Sequence, residues 1–343
     1  MHNKIQMVDL VSQYAKIKDE IRIELDKVLD SAMFINGPAV HEFQADLENY
    51  LGVKHVIPCA NGTDALQVIM MAYDFPKGAE VLVPSYTYVA TVEVIALLGL
   101  KPVFVEVYPD TFNIDIEDVE SKITEHTVAI VPVHLYGQCV DMERLINVAG
   151  KHDLKVFEDT AQAIGATYTF ADKTSAKAGT IGHAGATSFF PSKNLGAFGD
   201  GGAIMTNDDE LATKIRMIVN HGQSKRYYHD SIGVNSRLDA MQAAILKVKL
   251  KYLNDYNKAR RVVADRYDEA FSKSDKVTIP LRSEFSTHVF HQYTIKLADG
   301  VDRDGLNTFL AERGIPSMIY YPVPNHLQKA YAYFGYQKGD FET

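Results

Sequence analysis

Apolar positions recur at helical spacing through residues 12–34, where Ile17, Ile21, Leu25, Val28 and Leu29 alternate with charged residues and predict an amphipathic helix. Ile35-Asn-Gly-Pro38 breaks the pattern, and 40–51 predicts a second helix stopped by Gly52. A regular alternation then sets in. Short apolar runs at 55–60, 80–86, 102–107, 127–135 and 154–158 predict strands, and 63–73, 89–98, 116–123 and 141–152 predict helices between them. These runs lack the polar alternation of a sheet with one wet face, so they predict a mostly parallel sheet covered on both sides. The apolar run 186–191 breaks into a glycine-rich loop, followed by a strand at 202–207 and a helix at 208–219. A polar, irregular passage, 220–234, precedes a long helical stretch at 238–271. Beyond it, 290–297 and 318–322 predict strands and 303–313 a helix.

At 343 residues the chain exceeds what one core usually serves. The expected division is a large domain with its N-terminal helix, 1–250, and a small C-terminal domain, 251–343. The net charge of −9 offers no footprint for nucleic acid or an anionic membrane. Cys59 and Cys139 lie far apart in apolar surroundings, which predicts two buried thiols in a reducing compartment. The twelve histidines show no metal-ligand spacing. The opening residues, Met1 to Leu10, lack a signal-peptide pattern and no apolar run reaches membrane-spanning length, so a cytoplasmic protein is expected.

Ligands of doubly wound sheets sit beyond the carboxyl ends of the strands. Four polar clusters fall there: 61–64, 85–88, 159–162 and 188–193. Asn61-Gly-Thr-Asp64 opens a helix after a strand, which makes either an anion site or a plain capped turn. Two tyrosines, Tyr86 and Tyr88, follow the next strand and suit core packing or stacking on a flat heteroaromatic ring. Glu158 and Asp159 end an apolar strand side by side. Alternation turns one inward and one away, so at least one carboxylate enters a partly buried setting and needs a cation, either a protonated pyridine nitrogen or an arginine or lysine. Lys193 stands at the break between the apolar run and the glycines. It is a solvated loop charge or a nucleophile whose amine is kept neutral by a dry cleft. Ser188 offers a hydroxyl suited to phosphate, and Asn235 and Arg237 open the long helix with an amide and a guanidinium.

Six motifs in one order carry a family likeness: Asn61-Gly-Thr-Asp-Ala-Leu66, Pro84-Ser-Tyr-Thr-Tyr-Val-Ala-Thr91, His134-Leu-Tyr-Gly-Gln138, Glu158-Asp-Thr-Ala-Gln-Ala163, Ser188-Phe-Phe-Pro-Ser-Lys193 with Gly199-Asp-Gly-Gly202, and Gly233-Val-Asn-Ser-Arg237. Over nearly its whole length the chain resembles the DegT-type (DegT/DnrJ/StrS) sugar-nucleotide aminotransferases. The resemblance implies the type I fold of pyridoxal-phosphate enzymes: a large α/β domain with a mostly parallel seven-stranded sheet, plus a small C-terminal α/β domain. Around 185–202 and 221–245 the text is most similar to enzymes that aminate C3 of a UDP-linked 2-acetamido-3-oxo-glucuronic acid for O-antigen synthesis.

By that resemblance, Lys193 bonds to pyridoxal phosphate and later shuttles the proton, while Asp159 pairs with the pyridinium nitrogen. Gln162 lies against the ring or its 3-oxygen and Tyr88 stacks on the ring face. The backbone of Gly62, Thr63 and Asp64 holds the phosphate together with Ser188, and Asn235 reaches it from a neighbouring subunit of a homodimer. Arg237, Tyr320 and Tyr321 adjoin the sugar. An amino acid, with glutamate the expected donor, leaves its amino group as pyridoxamine phosphate, which then aminates the keto-sugar nucleotide in ping-pong order. A dTDP- or UDP-6-deoxy-ketohexose is the rival substrate. Two departures stand out. Tyr320-Tyr-Pro322 replaces the family's frequent His-Tyr-Pro, and the chain ends at Thr343, short of the usual last segment, so either the small domain is trimmed or the chain is shortened. A nicotinamide oxidoreductase would need a Gly-x-Gly-x-x-Gly turn early in the sheet, which the first strands lack. A sensor or binding protein on the same fold would be free to lose Lys193, and a sugar dehydratase would carry histidine there.

Overall fold

The structure, a computed structural model, describes residues 5–342; the first four residues of the N-terminal stretch and Thr343 lie outside them. Helix α1 (Leu10–Ser31) starts two residues before its predicted position because the Asp9 carboxylate caps it, accepting the Ser12 N–H at 2.9 Å. It buries Ile17, Ile21 and Val28. Helix α2 (Pro38–Leu51) has proline in its first turn and ends at Gly52, whose φ of +69° lets the backbone turn left-handed.

The alternation then proceeds through β1 (His55–Cys59), α3 (Gly62–Tyr73), β2 (Glu80–Pro84), α4 (Ala90–Leu97), β3 (Lys101–Val105), α5 (Ile116–Lys122), β4 (Thr127–Ile130), α6 (Met142–Lys151) and β5 (Lys155–Asp159). A hairpin follows, β6 (Thr167–Thr169) and β7 (Ser175–Lys177), then β8 (Ala184–Ser188), β9 (Gly202–Thr206) and α7 (Asp209–Ile218). Seven strands form one sheet in the order β1-β9-β8-β5-β4-β2-β3. Only β9 runs against its neighbours. The mid-strand prolines, Pro58 and Pro102, fall on the two edge strands, where a missing N–H breaks no ladder.

Strand alternation divides the core. Val81, Val83, Phe104, Ala129 and Phe157 face α3, α4 and α7. Leu82, Val105, Ile130 and Val156 face α5 and α6 on the other side. Val56, Ala203 and Met205 meet α2 and α8 (Ala240–Leu250). Asp159 therefore belongs to the α4 face and Glu158 to the opposite one.

Three expectations need correction. The stretch 238–271 is two helices, α8 and α9 (Leu253–Phe271), separated by a turn at 251–252. The run 290–297 is not a strand; only Lys296–Leu297 pairs, with Val277–Thr278, while the His291 N–H donates to the Tyr136 carbonyl. The aromatic run 318–322 forms no strand either, because Tyr320 and Tyr321 give their backbone groups to tyrosine hydroxyls. The last α-helix among the described residues is α10 (Arg303–Glu312). Residues 325–341 return to the large sheet, where Tyr331, Phe334, Tyr336 and Phe341 pack on the α3–α4 face. No helix among the described residues is long and apolar enough to cross a membrane.

Gly185 in β8 lies against a backbone turn, and a Cβ there would stand 2.2 Å from the Gly179 carbonyl oxygen. Gly185→Ala is expected to cost about 1–3 kcal/mol through overpacking, read as a lowered midpoint in urea unfolding with an unchanged slope.

Candidate active site

The carboxyl end of β5 carries two buried carboxylates. Glu158 is wholly inaccessible and fully served: His134 Nε2 stands 2.9 Å from Oε2, and the N–H groups of Gly179, Ile181 and Gly182 donate at 2.8, 2.7 and 2.6 Å. The Val140 N–H donates to His134 Nδ1 at 3.1 Å, so the ring proton sits on Nε2 and points at Glu158. The His134 backbone N–H donates to the Asp159 carbonyl at 3.0 Å. One residue thus grips the strand end twice. The two side chains point to opposite faces of the sheet, as alternation predicts, and both are buried.

Asp159 turns to the other face. Its Oδ2 accepts from Thr91 Oγ1 on α4 at 2.8 Å and its Oδ1 from the Ala161 N–H at 3.0 Å. No arginine, lysine or histidine forms an ion pair with it among the described residues. The residue is 6% exposed, and its carboxylate accepts from neutral donors.

Lys193 approaches from the next strand. After Ser188 the chain closes a tight loop: Phe189 N–H donates to the Gly201 carbonyl, Lys193 N–H to the Phe190 carbonyl, and Ala197 N–H to the Phe189 carbonyl, at 2.7–2.8 Å. Gly196 is required there, since a Cβ would meet the Pro191 oxygen at 2.3 Å. Lys193 is half-buried, and burial holds its pKa below the usual lysine value, partly countered by the negative charge of Asp159. The structure therefore brings the predicted lysine and aspartate together.

The phosphate candidates also converge. The side chain of Asn61 caps α3 by accepting the Asp64 N–H at 2.8 Å, leaving the Gly62 and Thr63 amides at the helix's open end. That end adjoins Ser188: a Cβ on Gly62 would stand 2.7 Å from the Ser188 Cβ. The Asp64 amide, by contrast, is already engaged. Gln162 accepts the Tyr136 N–H at 2.8 Å and donates to the Tyr321 hydroxyl at 3.1 Å, which joins it to a cluster of Tyr86, Tyr136, Tyr320 and Tyr321. Tyr88 is 57% exposed, with its ring 6.5 Å from that of Tyr321. Thr87 Oγ1 beside it is buried, with no hydrogen-bond partner among the described residues. Asn235 is exposed and Arg237 half-exposed at the start of the α8 region, with no side-chain partner for either among the described residues.

Thr91 and His134 fall within the motifs quoted above but were given no role of their own, and Lys249 was not singled out. Lys249 lies buried on α8 and donates to the Gly196 carbonyl behind Lys193. A lysine amid Leu246, Val248 and Leu250 was the available signal.

A family model for the DegT/DnrJ/EryC1/StrS aminotransferase family matches residues 15–343. The chain belongs to that family. It is 48% identical over 337 residues to a pleiotropic regulatory protein of Geobacillus stearothermophilus, covering 98% of this chain and 88% of that one. It is 45% identical over 328 residues to the UDP-2-acetamido-2-deoxy-3-oxo-D-glucuronate aminotransferase of Pseudomonas aeruginosa, covering 96% and 89%. Among solved structures, NtdA from Bacillus subtilis with bound cofactor PMP superposes with a TM-score of 0.86 at 33% identity, covering 98% of this chain and 78% of that one.

Burial lowers the pKa of Lys249 to about 8 from its ordinary 10.5. Between those values the unfolded chain holds more protons than the folded one, so stability rises with pH across that window. Below about 8 the full cost of the buried ammonium is carried. Lys249→Met is therefore expected to flatten the rise that the wild type shows in urea midpoint from about pH 8 to about pH 10.

Proposed function

We propose that this chain is a pyridoxal-phosphate aminotransferase that moves the amino group of glutamate to C3 of UDP-2-acetamido-2-deoxy-3-oxo-glucuronate, for O-antigen or other cell-surface polysaccharide synthesis. The observation that carries the reading is Asp159: a buried carboxylate with two neutral donors and, among the described residues, no ion-pair partner, beside a lysine held below its usual pKa. A protonated pyridine nitrogen supplies the cation that such a carboxylate calls for. When bound, the cofactor supplies an electron sink that stabilises the carbanion left by proton removal.

The chain's own residues do the rest. The Gly62 and Thr63 amides, aligned with the α3 dipole, and Ser188 Oγ hold the phosphate, with the Asp64 amide at the cradle's edge. Gly62 has no side chain to fill the space beside Ser188. Tyr88 presents an open ring face for stacking, and Gln162, fixed by Tyr136 and Tyr321, sets the ring's edge. Lys193 Nζ takes the proton from one carbon and returns it at the other, which needs an amine that is neutral part of the time. Asn235, exposed, reaches the phosphate of a second copy in a homodimer. Arg237 pairs with the substrate carboxylate, and Tyr320 and Tyr321 line the sugar. A reducing, cytoplasmic setting suits both the substrate and the two free thiols. We read 1–250 as the cofactor-binding part and 251–343 as the smaller part, supported by the turn between α8 and α9.

A regulatory role is the second reading, favoured by the name of the 48%-identical relative. The two separate on turnover. Mass spectrometry of protein with pyridoxal phosphate, glutamate and a panel of keto-sugar nucleotides is expected to show a one-amine product from the UDP-3-oxo-uronate. Product from a 6-deoxy-keto sugar alone would discard the uronate, and product from none would favour regulation. Lys193→Ala is expected to abolish turnover while still admitting cofactor. Arg237→Ala is expected to lower kcat/KM for the uronate about tenfold to a hundredfold, the value of one charge-assisted contact.

A further inference from the structure

The loop that carries Lys193 is held from one direction. Gln242 and Lys249, two turns apart on one face of α8, reach the Phe198 N–H at 2.8 Å and the Gly196 carbonyl. Asn257 of α9 takes the third point, its Oδ1 accepting from Asn194 Nδ2 at 2.7 Å. Asn194 directly follows Lys193, and its amide also donates to the Val289 carbonyl at 3.0 Å. Asn257 turns its own amide to the carbonyl of Ile164 at 3.2 Å, in the turn that follows Asp159 and Gln162. The two asparagines are 4% and 2% exposed. Gly165, at φ +87°, makes room: a Cβ there would lie 2.6 Å from Asn257 Nδ2.

One side chain therefore joins the lysine loop to the aspartate turn. Reversing its amide would set NH2 against NH2 at Asn194 and oxygen against the Ile164 carbonyl, so the network admits one orientation. An apolar residue would fill the same volume without the cost of burying two amides. It could not hold the Asn194 side chain and the Ile164 carbonyl at once.

We infer that Asn257 is a positioning residue for amino transfer, keeping Lys193 in register with Asp159 through Asn194 on one side and Ile164 on the other. This rests on the assignment of Lys193 and Asp159 to the cofactor. The test uses Asn257→Ala, with Asn257→Ser as the milder change, in protein loaded with pyridoxal phosphate. Three readouts are taken: the pH midpoint of the lysine-dependent cofactor absorbance, the rate and half-saturation of amino transfer from glutamate, and Tm. A small displacement of Lys193 from Asp159 moves the absorbance midpoint and slows transfer about tenfold to a hundredfold with half-saturation little changed. Asn194→Ala gives the same shift, and the double variant adds little further. An unmoved midpoint and a rate within about twofold of wild type, with only Tm lowered, would overturn the positioning role. If the wild-type band survives in Lys193→Ala, the assignment of Lys193 fails and the positioning role with it.

Discussion

The buried charge of Glu158 is the constraint on which the site depends. An ionised carboxylate without solvent is tolerable only when its lone pairs are filled, and four donors fill them here. Three of those donors are backbone N–H groups of one turn, residues 179–182, which this charge folds onto the end of β5. The fourth is His134, whose backbone holds the neighbouring Asp159 carbonyl. The strand end is thereby fixed on both faces. Asp159 inherits a rigid position with its carboxylate aimed at α4, and it is left with neutral donors alone. The two adjacent carboxylates thus differ: Glu158 has four donors, and Asp159 has two neutral ones.

Around that point the fold divides its labour by element. Parallel strands deliver the polar clusters to one edge of the sheet, and α3 delivers an open N-terminus beside Ser188. Helices α8 and α9 lie behind the lysine loop and hold it at alternate residues, 194, 196 and 198. The loop itself contributes close backbone approach, which Gly196 permits. Burial then acts twice, on Lys193 at the site and on Lys249 behind it, lowering the pKa of both amines for the same physical reason.

Much of this was legible in the chain itself. Strands buried on both faces read as unbroken apolar runs, so β1 to β5 and the parallel sheet emerged from periodicity, within one to five residues at the ends. The four polar clusters at strand ends pointed to one site for the same reason. The hairpin of β6 and β7 was missed because its strands are Thr-, Ser- and Lys-rich and resemble a polar loop. The turn between α8 and α9 carries no glycine or proline, and Leu250 and Leu253 continue the apolar pattern across it. The runs at 290–297 and 318–322 look like strands because they are aromatic and apolar, but Phe290 stacks on the ring of His288 and Tyr321 packs against Tyr86 in place of a ladder. The roles of Thr91, His134 and Asn257 were illegible for a different reason. Each acts through a partner at least 24 positions away, and no local pattern records such a pairing.

Borohydride reduction of the protein loaded with pyridoxal phosphate, followed by peptide mapping, tests the proposed bond between Lys193 and the cofactor. A single pyridoxyl group on Lys193, absent when Lys193 is replaced, is expected. A pyridoxyl group on Lys177 or Lys249, or on no lysine at all, would contradict it.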